Sequence, residues 1–121
     1  MACGAIGGSF FPDGQRLATC SDDGTAKVWQ RADRSCLSTI RPQQRALMGV
    51  CVSPDGQTLV ITGYKFSLHD ATTGQERCSF DDPYSLARCA LFSQDGTMLF
   101  SGCDRGVVRV RTAPAATSAS P

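Results

Sequence analysis

The sequence predicts an all-β protein that repeats one small unit, a meander of four short antiparallel strands, about three times. A turn motif recurs at intervals of 40 to 42 residues, and polar and apolar side chains alternate between the turns. In addition, no stretch shows the sustained 3.6-residue periodicity of an amphipathic helix. The repeat length fits four strands and three turns in each copy.

The recurring turn is an Asp-Gly pair that follows an apolar stretch, at Asp13-Gly14, Asp55-Gly56 and Asp95-Gly96. The aspartate side chain can cap such a turn, and glycine accepts the positive φ that the turn requires. In the first two copies a proline before the aspartate also presets φ. The pair therefore marks the turn between the first and second strands of each copy.

The remaining strands follow from the turns and the alternation. A third strand begins after a two-residue hairpin signal such as Asp23-Gly24. A fourth strand is visible in the first two copies, at about residues 36–40 and 76–80. The first three strands are predicted at 6–11, 16–20 and 25–30 in copy one, 47–52, 58–62 and 65–69 in copy two, and 86–92, 98–101 and 107–111 in copy three.

The length of 121 residues allows one domain, and the formal net charge of +1 gives no broad field to attract nucleic acid or an acidic membrane surface. We predict strands within residues 1–111, with copies at about 4–41, 46–80 and 86–111. Residues 112–121 contain only Ala, Pro, Ser and Thr, and we expect this tail to be disordered. The chain has no apolar run long enough to span a membrane and no signal-peptide pattern.

The seven cysteines are odd in number, and no Cys-x-x-Cys pair occurs. Most stand among apolar neighbours, so we expect small buried side chains with free thiols. Free thiols persist in reducing compartments. The prediction is an intracellular protein, in the cytoplasm, with the nucleus as the alternative.

Residues 21–30, Ser-Asp-Asp-Gly-Thr-Ala-Lys-Val-Trp-Gln, resemble the strand–turn–strand of the WD-repeat family, which ends in Trp-Asp with an Asp six positions before the Trp. The resemblance covers about residues 4–111. It implies a partial β-propeller of about three four-stranded blades, the last one incomplete. The residues expected to hold this structure are Asp13, Gly14, Asp23, Gly24, Trp29, Asp55, Gly56, Asp70, Asp95 and Gly96.

The copies also depart from the family pattern. No copy carries the family's Gly-His pair, so none can form its complete Ser/Thr–His–Asp–Trp hydrogen-bond set. The second copy, with Thr72-Thr-Gly after Asp70, also resembles other propeller families, which leaves the subfamily open. The family's Trp position holds Trp29, His69 and Arg111 in the three copies, and its closing Asp position holds Gln30, Asp70 and Thr112.

Closed propellers typically have four to eight blades. Three copies, one without a fourth strand, leave the outer faces of the first and last sheets uncovered, with Val108 and Val110 exposed to water. We therefore predict a fragment, a truncated isoform, or a piece that a partner completes. The alternative is an open arc that stands by itself, with the exposed edges that this implies.

The predicted function is non-catalytic binding of other proteins or peptides. In an up-and-down blade, the turns between strands two and three share a rim with the connections between copies. Tyr and Arg are favoured anchors of interfaces. The predicted partner-binding rim consists of Arg41, Arg45, Tyr64, Tyr84 and Arg105, each of which could instead be a solvated side chain.

Two other functions have weaker support. The first is association with RNA or another nucleic acid through an Arg-rich strand and the rim. Arg105, Arg109 and Arg111 alternate along one strand and could contact phosphate, although the polar face of a strand explains them more simply. An enzyme is not expected, because the chain has no nucleophile elbow, phosphate loop or metal-ligand cluster. For the same reason no cofactor is expected. His69 stands at the Trp position and is expected to be a packed strand residue rather than a catalytic base.

Overall fold

The computed structural model describes residues 5–21, 23–42, 47–63, 65–81, 87–103, 106 and 108–112. These residues form strands and turns without an α-helix, which confirms the all-β prediction. In this part of the chain there is consequently no helix long and apolar enough to cross a membrane.

The described strands form three antiparallel sheets, each paired in chain order as a meander. The first sheet contains β1 (Ala5–Phe10), β2 (Arg16–Ser21), β3 (Ala26–Gln30) and β4 (Cys36–Ile40). The second contains β5 (Gly49–Val52), β6 (Thr58–Thr62), β7 (Lys65–Asp70) and β8 (Glu76–Asp81). The third contains β9 (Ala87–Phe92), β10 (Met98–Cys103) and β11 (Val108–Thr112).

The strand positions agree with the sequence prediction to within one or two residues. The third sheet has three strands among the described residues, as the missing fourth strand led us to expect. The last strand, β11, ends at Thr112, which is one residue inside the segment predicted as a tail. The rest of that segment, 113–121, lies outside the described residues.

The strand registers show that the three copies are equivalent position by position. In each sheet a leucine of the second strand stands opposite the residue at the family's Trp position on the third strand. These pairs are Leu17 with Trp29, Leu59 with His69, and Leu99 with Arg111. Residues that share a register position can therefore be compared directly between sheets.

The sheets follow one another in chain order. Strand β1 lies against β5, and β5 lies against β9, so the first strands of the sheets are neighbours, as the inner strands of a propeller are. The Asp-Gly turns are also neighbours: a Cβ atom built on Gly56 would lie 3.5 Å from Cδ of Pro12, and one on Gly96 would lie 3.9 Å from Cδ of Pro54. These turns share one rim, called the Asp-Gly rim below.

The core consists of two clusters, one on each side of the second sheet. All five residues of β6, Thr58–Thr62, are buried because both faces of this sheet are covered. The cluster between the first and second sheets includes Phe11, Ala18, Val28, Ile40, Leu47, Val52, Leu59, Ile61 and Ala71. The cluster between the second and third sheets includes Cys51, Val60, Phe66, Leu68 and Leu99.

The two outer faces are not covered in this way. Phe10 is exposed on the first sheet, and the third sheet exposes Leu91, Phe100, Val108 and Val110. The predicted exposure of Val108 and Val110 is confirmed. Large apolar patches on a protein surface usually mark places where another molecule packs.

Candidate functional site

The Asp-Gly rim is held by bonds within each turn. Asp55 accepts a hydrogen bond from the backbone N–H of Gln57 at 3.0 Å, and Asp95 accepts one from Thr97 at 3.0 Å. Gly56 and Gly96 have φ of 75° and 76°, the left-handed region in which glycine avoids a Cβ clash. The hydroxyl bonds from Ser93 and Thr97 lower the pKa of Asp95 to about 2. In the first sheet, Asp13 and Gly14 occupy the equivalent turn, with the Gln15 N–H 2.8 Å from Asp13.

Asp23 ties the hairpin between β2 and β3. Its carboxylate accepts two bonds from Thr25, one from the backbone N–H at 2.9 Å and one from the hydroxyl at 2.7 Å. The Thr25 hydroxyl and N–H, in that order, lower the pKa of Asp23. Gly24 has φ of 90°, which permits the two-residue turn. Asp23 is thus an exposed carboxylate already engaged in its own turn.

Trp29 lies on the outer side of the first sheet and is half-buried. Its indole N–H donates to Oγ1 of Thr19 on the neighbouring strand at 2.9 Å. The ammonium of Lys27 lies 5.8 Å from the centre of the indole ring. Trp29 and Leu17 form one wall of an apolar groove of about 420 Å³, the first-sheet groove, which Phe10 also lines and which Arg31 and Arg34 border.

His69, at the same register position of the second sheet, is buried and bonded at both ring nitrogens. Nε2 lies 2.9 Å from Oγ of Ser67, and Nδ1 lies 3.1 Å from the carbonyl oxygen of Gly74. A carbonyl oxygen only accepts, so Nδ1 carries the proton and Nε2 accepts from the Ser67 hydroxyl. Burial lowers the pKa of His69. With both nitrogens occupied by structural bonds, the ring has no free atom to act as a base.

Asp70 closes the turn between β7 and β8. Its Oδ1 accepts the backbone N–H groups of Thr72 and Thr73, at 2.8 and 3.0 Å. Its Oδ2 accepts a bond from Nη2 of Arg77 at 2.7 Å, and Nη1 of the same guanidinium reaches Oγ1 of Thr58 at 3.1 Å. These bonds, with the Thr73 N–H contributing most, lower the pKa of Asp70 to about 2.

Of the predicted partner-binding rim, the structure describes Arg41, which is exposed at the end of β4. The other four members, Arg45, Tyr64, Tyr84 and Arg105, lie outside the described residues. Arg41 lines a polar cleft of about 280 Å³ between the first two sheets, together with His69, Gly74 and Glu76. The cleft thus brings a cation of the first sheet near a carboxylate of the second.

The cysteines correct part of the sequence prediction. Cys20 and Cys51 are buried as expected, and burial raises the pKa of both thiols. Cys36 and Cys89 are exposed, because both lie on the uncovered outer sides of the first and third sheets. All the cysteines for which the structure describes the side chain are free thiols, and within the described residues no group of His, Cys, Asp or Glu could hold a metal ion.

Comparison with known proteins shows which family has this arrangement of strands. The family model for the WD domain, G-beta repeat, matches residues 4–30 and 75–111, together just over half of the chain. The chain belongs to the WD-repeat family. The matched segments lie at the two ends, and the WD-repeat meander is equally regular between them, where β5, β6 and β7 keep the same registers.

Two curated WD-repeat proteins are similar to parts of the chain. WD repeat-containing protein 86 of Homo sapiens is 52% identical over 33 residues, which are 27% of this chain and 9% of that protein. F-box/WD repeat-containing protein A of Dictyostelium discoideum is 25% identical over 95 residues, 74% of this chain and 8% of that protein. The chain therefore spans less than a tenth of the length of either relative.

WD-repeat domains are in general scaffolds for protein interactions and are typically non-catalytic. Sequence reasoning anticipated the uncovered faces but missed the first-sheet groove, which lies on the outer side of the first sheet. The signal for it was present, since alternation places Leu17, Thr19 and Trp29 on one face of adjacent strands. The cleft at Arg41 was not predictable, because it depends on how two sheets pack.

Proposed function

We propose that the chain is a non-catalytic scaffold module, part of a longer WD-repeat propeller protein, that binds other proteins or peptides on the partner-binding rim. One observation carries the proposal: both outer sheet faces expose apolar side chains at positions that are buried in the middle sheet. A module of adjacent blades has this arrangement. Its loops, rather than its interior, are then available for a partner.

The exposed guanidinium of Arg41 supports the choice of rim, because it stands on a connection between blades and borders a cleft. Arginine and tyrosine supply much of the binding energy at protein interfaces. The four further members of the rim set stand on connections or turns of the same kind in the chain. A partner with acidic and apolar side chains would complement this set.

Protein binding is favoured over nucleic-acid binding by the position of Arg111. Its guanidinium lies 5.8 Å from the centre of the Phe66 ring, so this side of β11 packs toward the second sheet. An arginine that stacks against a neighbouring blade is poorly placed to reach a phosphate chain. Binding dominated by phosphate contacts would weaken steeply with salt.

We also propose a reducing intracellular location, most simply the cytoplasm. The support is the set of free thiols, two of them exposed at Cys36 and Cys89, which an oxidising compartment would expose to disulfide exchange. Fluorescence microscopy of a tagged chain tests this proposal, and we expect signal in the cytoplasm, whether or not some is also in the nucleus. Passage into the secretory pathway would contradict it.

The rim is tested by affinity capture from a cell lysate with the tagged chain, at two salt concentrations and after nuclease treatment. The test variant is R41E/R45E/R105E. The matched control is R31E, a charge reversal at an exposed arginine whose guanidinium donates to the Gly14 carbonyl on the Asp-Gly rim. We expect the same recovered proteins with the wild type and R31E, and at least tenfold less with the rim variant. Equal recovery with all three proteins would overturn the assignment of the rim as the binding surface. Loss of the captured proteins after nuclease treatment would favour binding to nucleic acid.

A further inference from the structure

The two ends of the chain expose opposite halves of a contact that the chain makes twice within itself. We define the leading face as the outer side of the first sheet, carried by Phe10, Leu17 and Trp29. The trailing face is the outer side of the third sheet, carried by Leu91, Phe100, Val108 and Val110. Each face contains a cross-strand row, Phe10 opposite Leu17 opposite Trp29 in one and Leu91 opposite Phe100 opposite Val110 in the other.

The leading position is covered wherever a sheet precedes it. Leu59 and Leu99, the equivalents of Leu17, are 0% and 1% exposed. Leu59 belongs to the cluster between the first two sheets, and Leu99 to the cluster between the second and third. Leu17 is only half-buried and instead lines the first-sheet groove.

The trailing position shows the converse. Ala18 and Val60, which precede the next sheet, are both 0% exposed. Phe100 at the same position of the third sheet is 39% exposed, and its neighbours Leu91 and Val110 are 68% and 52% exposed. Equivalent positions therefore differ in exposure because a neighbouring sheet packs on some of them and not on others.

The two faces also match in size and polarity. The first-sheet groove has a volume of about 420 Å³, and its apolar lining is Phe10, Leu17 and Trp29, while Arg31 and Arg34 stand at its border. An apolar cavity of roughly 150 Å³ already accepts benzene, so the groove has room for the ring of Phe100. The four trailing side chains are apolar, so they bring no unpaired charge into the groove.

We propose that a second copy of this chain docks head to tail, with the trailing face of one copy on the leading face of the other and Phe100 in the groove. The contact continues the stacking already present between the sheets of one chain. The contact is heterologous, since different faces of the two copies meet. Two copies therefore form a closed ring only if the rotation that relates them brings the remaining two faces together. Two copies supply six blades, which lies within the four to eight of closed propellers. The proposal concerns the 121-residue chain by itself, since the adjacent blades of a longer propeller would cover the same two faces. The partner-binding rim uses neither face, so binding at the rim and docking of a second copy can fail separately.

The test is the mass of the 121-residue chain in sedimentation velocity over a hundredfold concentration range. The trailing variant is V110D and the leading variant is F10D, both at side chains more than half exposed, so the charge does not enter the core. The control is L37D, at a leucine that is 51% exposed on edge strand β4 and does not line the groove. Far-ultraviolet circular dichroism verifies that each variant is folded, and V108D replaces V110D if that variant is not.

We expect the wild type and L37D to have twice the monomer mass, and F10D and V110D each to be monomeric. A mixture of F10D and V110D retains one intact pair of faces and should regain the doubled mass. A monomeric wild type would overturn the proposal, as would a mixture that stays monomeric. A single variant that keeps the doubled mass would also overturn it, since a contact of like faces uses only one of the two faces. Assemblies larger than two copies that both variants abolish would support the head-to-tail contact and overturn the closed ring.

Discussion

Nδ1 of His69 lies 3.1 Å from the carbonyl oxygen of Gly74, so a buried ring at the end of β7 is bonded to the turn that leads into β8. Gly74 also faces the first sheet, because a Cβ atom at this position would lie 3.0 Å from Cγ1 of Ile40. One short turn therefore connects the second sheet to the first.

Gly74→Ala should destabilise the chain by about 2–3 kcal/mol. The left-handed φ is unfavourable for alanine, and its methyl group would crowd the side chain of Ile40. The matched control is Gly14→Ala, where φ is 70° against 78° for Gly74 but nothing lies within 4 Å of the added carbon. The control should lose only about 1 kcal/mol. Urea denaturation of both variants measures the difference, and equal losses would contradict the contact with Ile40.

The chain should lose stability on acidification from pH 7 to pH 5 because of His69, its single histidine. Burial lowers the pKa of this ring in the folded state below its ordinary value of 6.5. As the pH falls below 6.5, the unfolded chain takes up a proton that the folded chain resists, so the free energy of unfolding decreases until the pH passes the folded pKa. His69→Phe, which cannot titrate, should be less stable at pH 7 but should show a flat profile between pH 7 and pH 5. Parallel slopes in the two proteins would assign the pH dependence to other groups.

The strands were predictable because the turns are local. Asp55 and Gly56 determine a turn through their own side chain and φ, with no help from the rest of the chain. The alignment of His69 with Trp29 also followed from counting residues between such turns. The registers confirm it, since both stand opposite a leucine of the preceding strand.

The side-chain partners were not predictable in the same way. Trp29 donates to Thr19, but the register equivalent of Thr19 in the second sheet is Ile61, which has no hydroxyl. His69 bonds to Ser67 of its own strand instead. The cleft at Arg41 depends on packing between the first and second sheets, which a single sequence does not encode in any local pattern.

Truncating equivalent leucines should distinguish the covered sheet from the uncovered one. Leu59→Ala removes a side chain that is 0% exposed between two sheets and should cost about 2–5 kcal/mol. Leu17→Ala removes a half-buried side chain and should cost about 1 kcal/mol. Thermal melting is done at a protein concentration low enough to keep the chain monomeric. Similar losses at the two positions would show that the outer face is covered in solution.

The bonds of Asp70 should make a separable contribution to stability that disappears in acid. Asp70→Ala removes both the turn bonds to Thr72 and Thr73 and the pair with Arg77, and should cost about 1–2 kcal/mol after allowance for the partial exposure of the pair. Asp70→Asn keeps an oxygen that can accept the turn N–H groups but loses the charge, so it should cost less. The folded pKa of about 2 lies below the ordinary 3.8, so this stability is fully present above pH 4 and declines as the pH falls through 3.8 toward 2. Urea midpoints at pH 7 and pH 2.5 measure both effects. A gap between the wild type and Asp70→Ala that is as wide at pH 2.5 as at pH 7 would refute the role of the ionised carboxylate.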